Sequence, residues 1–203
     1  MVEVIAPLKL AYIPIRKVAT TSIRQEFRRV GSMVGGHSAT ADIKMSPYIR
    51  YRARNCDVFA IVREPASRFL SAYSNRIFHH DDMRSQPSRR IATAAFGLNP
   101  QPDIEEFCAR FHLYYAVNDS IRRHFRLQSA YLGQDLNFYS DIFPLSRVSQ
   151  FQDILSSRSG LEVEFGRLQT GGPKFKIADM PAKVRDFIMK FSEPDYKLLG
   201  HLF

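Results

Sequence analysis

Asp57-Val58-Phe59-Ala60-Ile61-Val62 constrains this chain more than any other stretch. After its first residue the run is apolar without alternation, and it is bounded by Asn55 before and Arg63-Glu64-Pro65 after. A strand with one wet face alternates apolar and polar residues. A continuous run of strand length suits a central parallel strand covered on both faces. Pro65 then stands where a first helical turn tolerates proline, and Phe69, Leu70, Tyr73 and Ile77 follow at helical spacing. The unit reads strand, short loop, helix, with Arg63 at the carboxyl end of the strand.

Upstream lies a second unit of the same kind. Leu8 to Ile15, LKLAYIPI, reads as a strand. Arg16-Lys17-Val18-Ala19-Thr20-Thr21-Ser22 is a polar loop, and Ile23, Phe27 and Val30 mark one face of the helix after it. Ser22 and Gln25 stand three apart, the spacing of a capping box. The first N–H groups of a helix lack internal partners and its dipole is positive there. Two cations and three hydroxyls added to that end make an anion site, suited to phosphate or sulfate. The loop is not a Walker A loop, which needs GxxxxGK[ST]; the first glycine here is Gly31, beyond the helix.

In open α/β sheets ligands bind at the carboxyl ends of strands. Two cationic ends suit two anionic groups of one ligand. Arg63 can pair with one of them in a forked geometry, and Ser71 is placed to add a hydroxyl. The plain alternative is a hydroxyl-started helix with a solubilising lysine, and an ordinary salt bridge from Arg63 to Glu64.

The rest of the chain carries weaker signals. Gly31 to Ala41 reads as a flexible loop holding His37, and Ser46-Pro47 as a helix start. Residues 79–102, with three prolines and three arginines, read as an irregular surface excursion. Asp103 opens a helix with Ile104, Phe107, Cys108 and Phe111 on its buried stripe. Asn137–Pro144 and Arg147–Phe151 read as strands, Gln152–Ser159 as helix, and Thr170-Gly171-Gly172-Pro173 as a turn. Pro181 opens a long helix with Val184, Phe187, Ile188 and Phe191 at core spacing, and a short final element closes the chain.

A length of 203 residues suits one domain, 1–203. No apolar run reaches the length of a membrane span, and the N-terminus lacks the pattern of a secretory leader. Cys56 and Cys108 read as free thiols rather than a disulfide, which points to the cytoplasm. The formal charge of +9 asks for an anionic partner. Arginines cluster as Arg50, Arg52 and Arg54; Arg84, Arg89 and Arg90; and Arg122, Arg123 and Arg126.

Together the two units resemble the sulfotransferases that use 3′-phosphoadenosine 5′-phosphosulfate (PAPS), in particular the carbohydrate sulfotransferases of the family 2 type. IRKVATTSI resembles their 5′-phosphosulfate loop, near IPKVACTSW. VFAIVREPASRFLSAY resembles their 3′-phosphate segment, near FAFVRDPFERLVSAY. RHFRLQSAYLG with YSDIFPLSRVSQFQDIL resembles their HWxPQ segment and the strand pair after it, and EPDYKLLGHL resembles their tail. The likeness runs in order from Leu8 to the C-terminus. It departs at Arg16, where the family has proline, and over residues 79–102.

The resemblance implies a P-loop-like three-layer α/β/α fold with a central, mostly parallel sheet. It implies PAPS as co-substrate without a metal. Arg16, Lys17, Val18, Ala19, Thr20, Thr21 and Ser22 would bind the phosphosulfate, and Arg63 and Ser71 the 3′-phosphate. Lys17 would stabilise the leaving phosphate and His37 would take the acceptor's proton. His124 and Gln128, four apart, would share a face if helical, and would touch the acceptor or else brace the core. That acceptor is expected to bear a hydroxyl, to be a carbohydrate and, from the arginine groups, to be anionic. No stable nucleic-acid partner is expected. Other readings are a phosphotransferase with a non-standard loop, a basic nucleic-acid-binding domain, and an inactive nucleotide-binding module.

Overall fold

The structure, a computed structural model, describes residues 1–40, 47–166 and 172–203. The loop and turn readings at Ala41, Ser46, Thr170 and Gly171 lie outside the described residues. The chain gathers into two compact units. The first comprises Met1–Arg63, Gln128–Gln169 and Leu198–Phe203, and the second Glu64–Leu127 and Thr170–Lys197.

The first unit is built on β1 (Glu3–Ile5), β2 (Leu10–Ile13), α1 (Thr20–Met33), β3 (His37–Ala39), α2 (Pro47–Ala53) and β4 (Asp57–Val62). Its strands form a five-stranded sheet of order β3-β1-β2-β4-β5, where β5 is Asp141–Pro144. Strand β4 pairs in parallel with β2 and with β5. Strand β1 runs antiparallel to both β2 and β3, so β3 points the same way as β2. As the unbroken apolar run requires, β4 is buried from Val58 to Val62.

Period-2 geometry sorts the side chains. Tyr12 and Phe59 are paired across β2 and β4 and so share a face. There Tyr12 meets Phe27 of α1 and Phe151, with ring centroids at 6.0 and 5.5 Å, and Phe59 lies 5.4 Å from Phe151. Phe151 belongs to α9 (Val148–Ser159). Ala11, Val58 and Ala60 point to the opposite face and are equally buried, so both faces are covered. The arrangement is a three-layer α/β/α fold. In α1 the expected stripe, Ile23, Phe27 and Val30, is fully buried. At Gly31 a Cβ would stand 2.7 Å from the Cβ of His37, so only glycine lets α1 approach β3 this closely.

The second unit is helical: α3 (Pro65–Tyr73), α4 (Pro87–Ala95), α5 (Ile104–Ala109), α6 (Phe111–Val117) and α7 (Asp119–Phe125), with most of the last helix, α10 (Ala182–Leu199). Phe69 is its hub, meeting the rings of Phe107, Phe111, Phe125, Phe187 and Phe191 within 6.4 Å.

Several expectations need correction. Residues 79–102 are not an irregular excursion: they contain α4, Met83 is fully buried, and Asp82 is buried with Ser120 Oγ at 2.5 Å. Arg147–Phe151 is not a strand, because α9 starts at Val148 and places Phe151 and Leu155 one turn apart in the core. The stretch from Asn137 is a strand only over Asp141–Pro144. The last helix does not stop before its tail but runs through Pro194 to Leu199. Cys56 and Cys108, by contrast, are free as expected, and burial pushes the Cys108 thiol up to about 12.

Candidate active site

Strands β2 and β4 pair in parallel with Ile13 opposite Ala60, so their carboxyl ends leave the same edge of the sheet. Neighbouring strands lie about 4.8 Å apart. The loop bearing Lys17 and the turn bearing Arg63 therefore emerge side by side.

The loop after β2 is anchored at two depths. Ile15 and Val18 are fully buried, while Lys17 is half-buried and Ala19 exposed. Pinning Val18 in the core forces the chain to reverse on either side of it. Lys17 and Ala19 accordingly hold left-handed backbone, with φ of 70° and 58°. The Thr20 hydroxyl donates to the Ile15 carbonyl and closes the loop. Left-handed residues other than glycine cost about 1–2 kcal/mol each, and such strain concentrates at functional sites. Ala19→Gly is therefore expected to be tolerated. Ala19→Val, β-branched at a positive φ, should cost about 2 kcal/mol or more by chemical denaturation.

Ala19 is also the residue from which α1 starts, with no side-chain cap. This corrects the capping-box reading: Ser22 lies inside the first turn, 4 % exposed, rather than at the cap. The correction leaves the helix end better suited to an external anion. Its first turn contains no acidic residue to compete for the N–H groups of Thr20, Thr21 and Ser22.

Arg63 follows β4, half-buried, and its main chain is clamped by Gln128. The Arg63 N–H donates to Gln128 Oε1 at 2.9 Å, and Gln128 Nε2 donates to the Arg63 carbonyl at 2.8 Å. Gln128 is fully buried. It acts as a one-residue extension of the sheet, fixing the direction in which the Arg63 side chain departs. His124 and Gln128 do not share a helical face. Helix α7 ends at Phe125, Arg126 is extended, and Gln128 precedes the short helix α8 (Ser129–Leu132). His124 is half-buried with Nδ1 2.8 Å from the Ser120 carbonyl.

His37 is not in a loop and is not brought to the Lys17 turn. It opens β3, opposite Ile5, which in turn pairs with Leu10, the first residue of β2. The loop leaves after Ile13, three residues or about 10 Å further along the strand direction. The ring packs edge-on to Phe27 at 6.5 Å. Its Nε2 lies 3.2 Å from Oε2 of the fully buried Glu3, which also accepts from Arg24 Nε at 2.5 Å and an Arg28 nitrogen at 3.1 Å. His37 thus packs against a buried carboxylate that Arg24 and Arg28 also engage. His37→Ala is expected to keep kcat within about threefold while costing ~1 kcal/mol of stability, since Glu3 retains two arginines. A loss of about 10² in kcat with unchanged melting would restore it as the base.

In the second unit, Glu64 caps α3, accepting from the N–H groups of Ala66 at 3.1 Å and Ser67 at 2.6 Å, and the Tyr196 hydroxyl donates to the same carboxylate. Burial raises the Glu64 carboxyl, but the Tyr196, Ser67 and Ala66 donors prevail and hold it below the usual range. Tyr196 of the EPDYKLLGHL segment thereby locks the start of α3. Arg68, 3 % exposed, donates to the carbonyls of His124 and Arg126 at 3.3 and 2.7 Å and caps the end of α7. Ser71 lies on α3, half-buried.

Elsewhere the arginine groups serve local roles. Arg50 pairs with Asp135 at 2.8 Å, Arg52 donates to Ser38, Arg54 covers the Tyr51 ring at 4.0 Å, and Arg122 donates to the Ala116 carbonyl. One cation escaped the sequence reading. β5 is parallel to β4, so exposed Arg147, three residues beyond Pro144, follows a third strand end at the same edge. Its signal was the same as for Arg63, a cation closing a short apolar strand.

A family model for the sulfotransferase family matches residues 5–200. The chain belongs to the sulfotransferase family. No curated protein and no solved structure matches it. The sulfotransferase is accordingly a transferase of sulfuryl groups to an acceptor, and no helix among its described residues is long and apolar enough to cross a membrane.

Proposed function

We propose that the sulfotransferase takes its sulfuryl group from PAPS and passes it to a hydroxyl of a carbohydrate. The observation that carries this reading is the parallel pairing of β2 and β4, which sets the Lys17 loop and Arg63 side by side on one edge of the sheet. PAPS needs that layout: a phosphosulfate at one end and a 3′-phosphate at the other, a nucleoside apart. The α1 N-terminus with Arg16, Lys17, Val18, Ala19, Thr20, Thr21 and Ser22 takes the first, and Arg63 the second. Ser71 keeps a proposed part as a hydroxyl donor on the strength of its motif alone.

The acceptor oxygen attacks sulfur, the bond from sulfur to the bridging oxygen breaks, and that oxygen leaves with the electron pair on the nucleotide. The acceptor's proton passes to a base or to water. Lys17 is the catalytic residue, placed to meet the charge that grows on the bridging oxygen. The local commitment of most arginines leaves a neutral sugar as acceptable as an anionic one.

Isothermal titration with 3′-phosphoadenosine 5′-phosphate tests the donor assignment, followed by turnover with labelled PAPS and a panel of sugar acceptors. Saturable binding at one site per chain is expected. Its absence, or equal binding of ATP with a requirement for Mg²⁺, would overturn the reading and favour a phosphotransferase.

A further inference from the structure

The cluster Arg84, Arg89 and Arg90 resolves into two uses. Arg89 donates to Asp119 at 2.9 Å and lies 3.7 Å from Asp82. Asp82 is further engaged by Arg76 at 3.5 Å and by the Ser120 hydroxyl, and Asp119 by Arg123. The neighbouring carboxylates Asp82 and Asp119 are thus committed on the Arg89 side. Arg84 and Arg90 are exposed, with no ion pair among the described residues, and both line a cleft of about 400 Å³.

The remaining walls of that cleft are Met83, Thr93, Ala94, Leu98 and Pro100. Met83, Thr93 and Leu98 form a buried floor, at most 5 % exposed. The one hydroxyl among them is already satisfied, because Thr93 Oγ1 donates to the Arg89 carbonyl at 2.7 Å. The floor is therefore apolar in effect. The volume falls in the range of small-molecule sites, which pair apolar walls with a few polar groups. Among the described residues no carboxylate lines the cleft.

We propose that this cleft, within the second unit, binds a small amphipathic anion. Its apolar body lies on Met83, Thr93 and Leu98, and its carboxylate or sulfate head meets the guanidinium groups of Arg84 and Arg90. Neither half suffices alone. An inorganic anion would gain only exposed ion pairs, which are weak in water. A neutral apolar molecule would gain burial and leave both cations unanswered. An amphipath obtains both, and its apolar body excludes water from the charge-assisted contact and strengthens it. The site does not depend on the assignment of the PAPS donor.

The test is calorimetric titration of the intact chain with octanoate, 1-octanol and acetate in parallel, repeated on the Arg84→Ala/Arg90→Ala double variant. Both arginines are exposed, so the variant is expected to fold, which its melting temperature checks. Octanoate should bind one per chain, at least tenfold more tightly than 1-octanol or acetate, and the double variant should lose at least tenfold of that affinity. Titration with 3′-phosphoadenosine 5′-phosphate should be unchanged by the double substitution. Ala94→Trp, which fills the cleft, should abolish octanoate binding. Equal affinity for octanoate and 1-octanol, or undiminished octanoate binding by either variant, would overturn the proposal.

Discussion

Lys17→Ala should lower kcat with PAPS about 10²- to 10³-fold, while its affinity for 3′-phosphoadenosine 5′-phosphate changes by less than about tenfold. The asymmetry reflects where charge resides. In the bound donor the bridging oxygen carries little charge, and as the sulfur–oxygen bond lengthens that oxygen becomes anionic. A fixed cation beside it therefore favours the transition state over the ground state. The loop lets this be measured without distortion. Alanine keeps the Cβ at the left-handed position where φ is 70°, and Val18 in the core and the Thr20 hydroxyl on the Ile15 carbonyl still set the backbone path. Steady-state kinetics beside titration separates the possibilities. A raised KM with unchanged kcat would make Lys17 a ground-state anchor only, and unaltered kinetics would remove it from the site.

Local periodicity is the part of this fold that its sequence makes legible. The unbroken DVFAIV run gave a strand buried on both faces, and Ile23, Phe27 and Val30 gave the buried stripe of α1. The lack of alternation in that run pointed to a central parallel strand, and the two strand–loop–helix units with cationic strand ends pointed to one ligand shared by Lys17 and Arg63. Register was not legible. His37 lies in a stretch of glycine, serine and alanine with no periodicity, and only pairing with β1 shows that it begins β3 rather than ending it. The partner that holds it, Glu3, sits 34 residues away, and nothing in the sequence marks Glu3 as a buried charge. Gln128 is a similar case. Its amide grips the main chain of Arg63, a contact 65 residues apart that no side-chain pattern announces. The helix in residues 79–102 was masked by its prolines and arginines. Pro87 begins the helix, where proline is welcome, and of its arginines Arg90 is exposed while Arg89 turns inward to Asp82 and Asp119.

The Gln128 clamp makes Arg63→Ala an informative substitution. Its expected result is a loss of affinity for 3′-phosphoadenosine 5′-phosphate of about 30- to 1000-fold, equivalent to ~2–4 kcal/mol, as for truncating one partner of a hydrogen-bonded charge pair. Gln128 holds residue 63 by its main-chain N–H and carbonyl, so alanine leaves both bonds at 2.9 and 2.8 Å available and the strand end intact. The loss then belongs to the guanidinium. Arg63→Lys should recover only part of it, because an ammonium offers a point charge in place of a fork matched to phosphate. Adenosine 5′-phosphosulfate, which lacks the 3′-phosphate, supplies the complementary measurement. Wild type should bind it more weakly than PAPS, and Arg63→Ala should bind it no worse than wild type does, since the group that Arg63 meets is already missing. If the substitution weakened both nucleotides equally, Arg63 would be supporting the fold or meeting some other part of the donor, and the assignment of the 3′-phosphate to the end of β4 would fail.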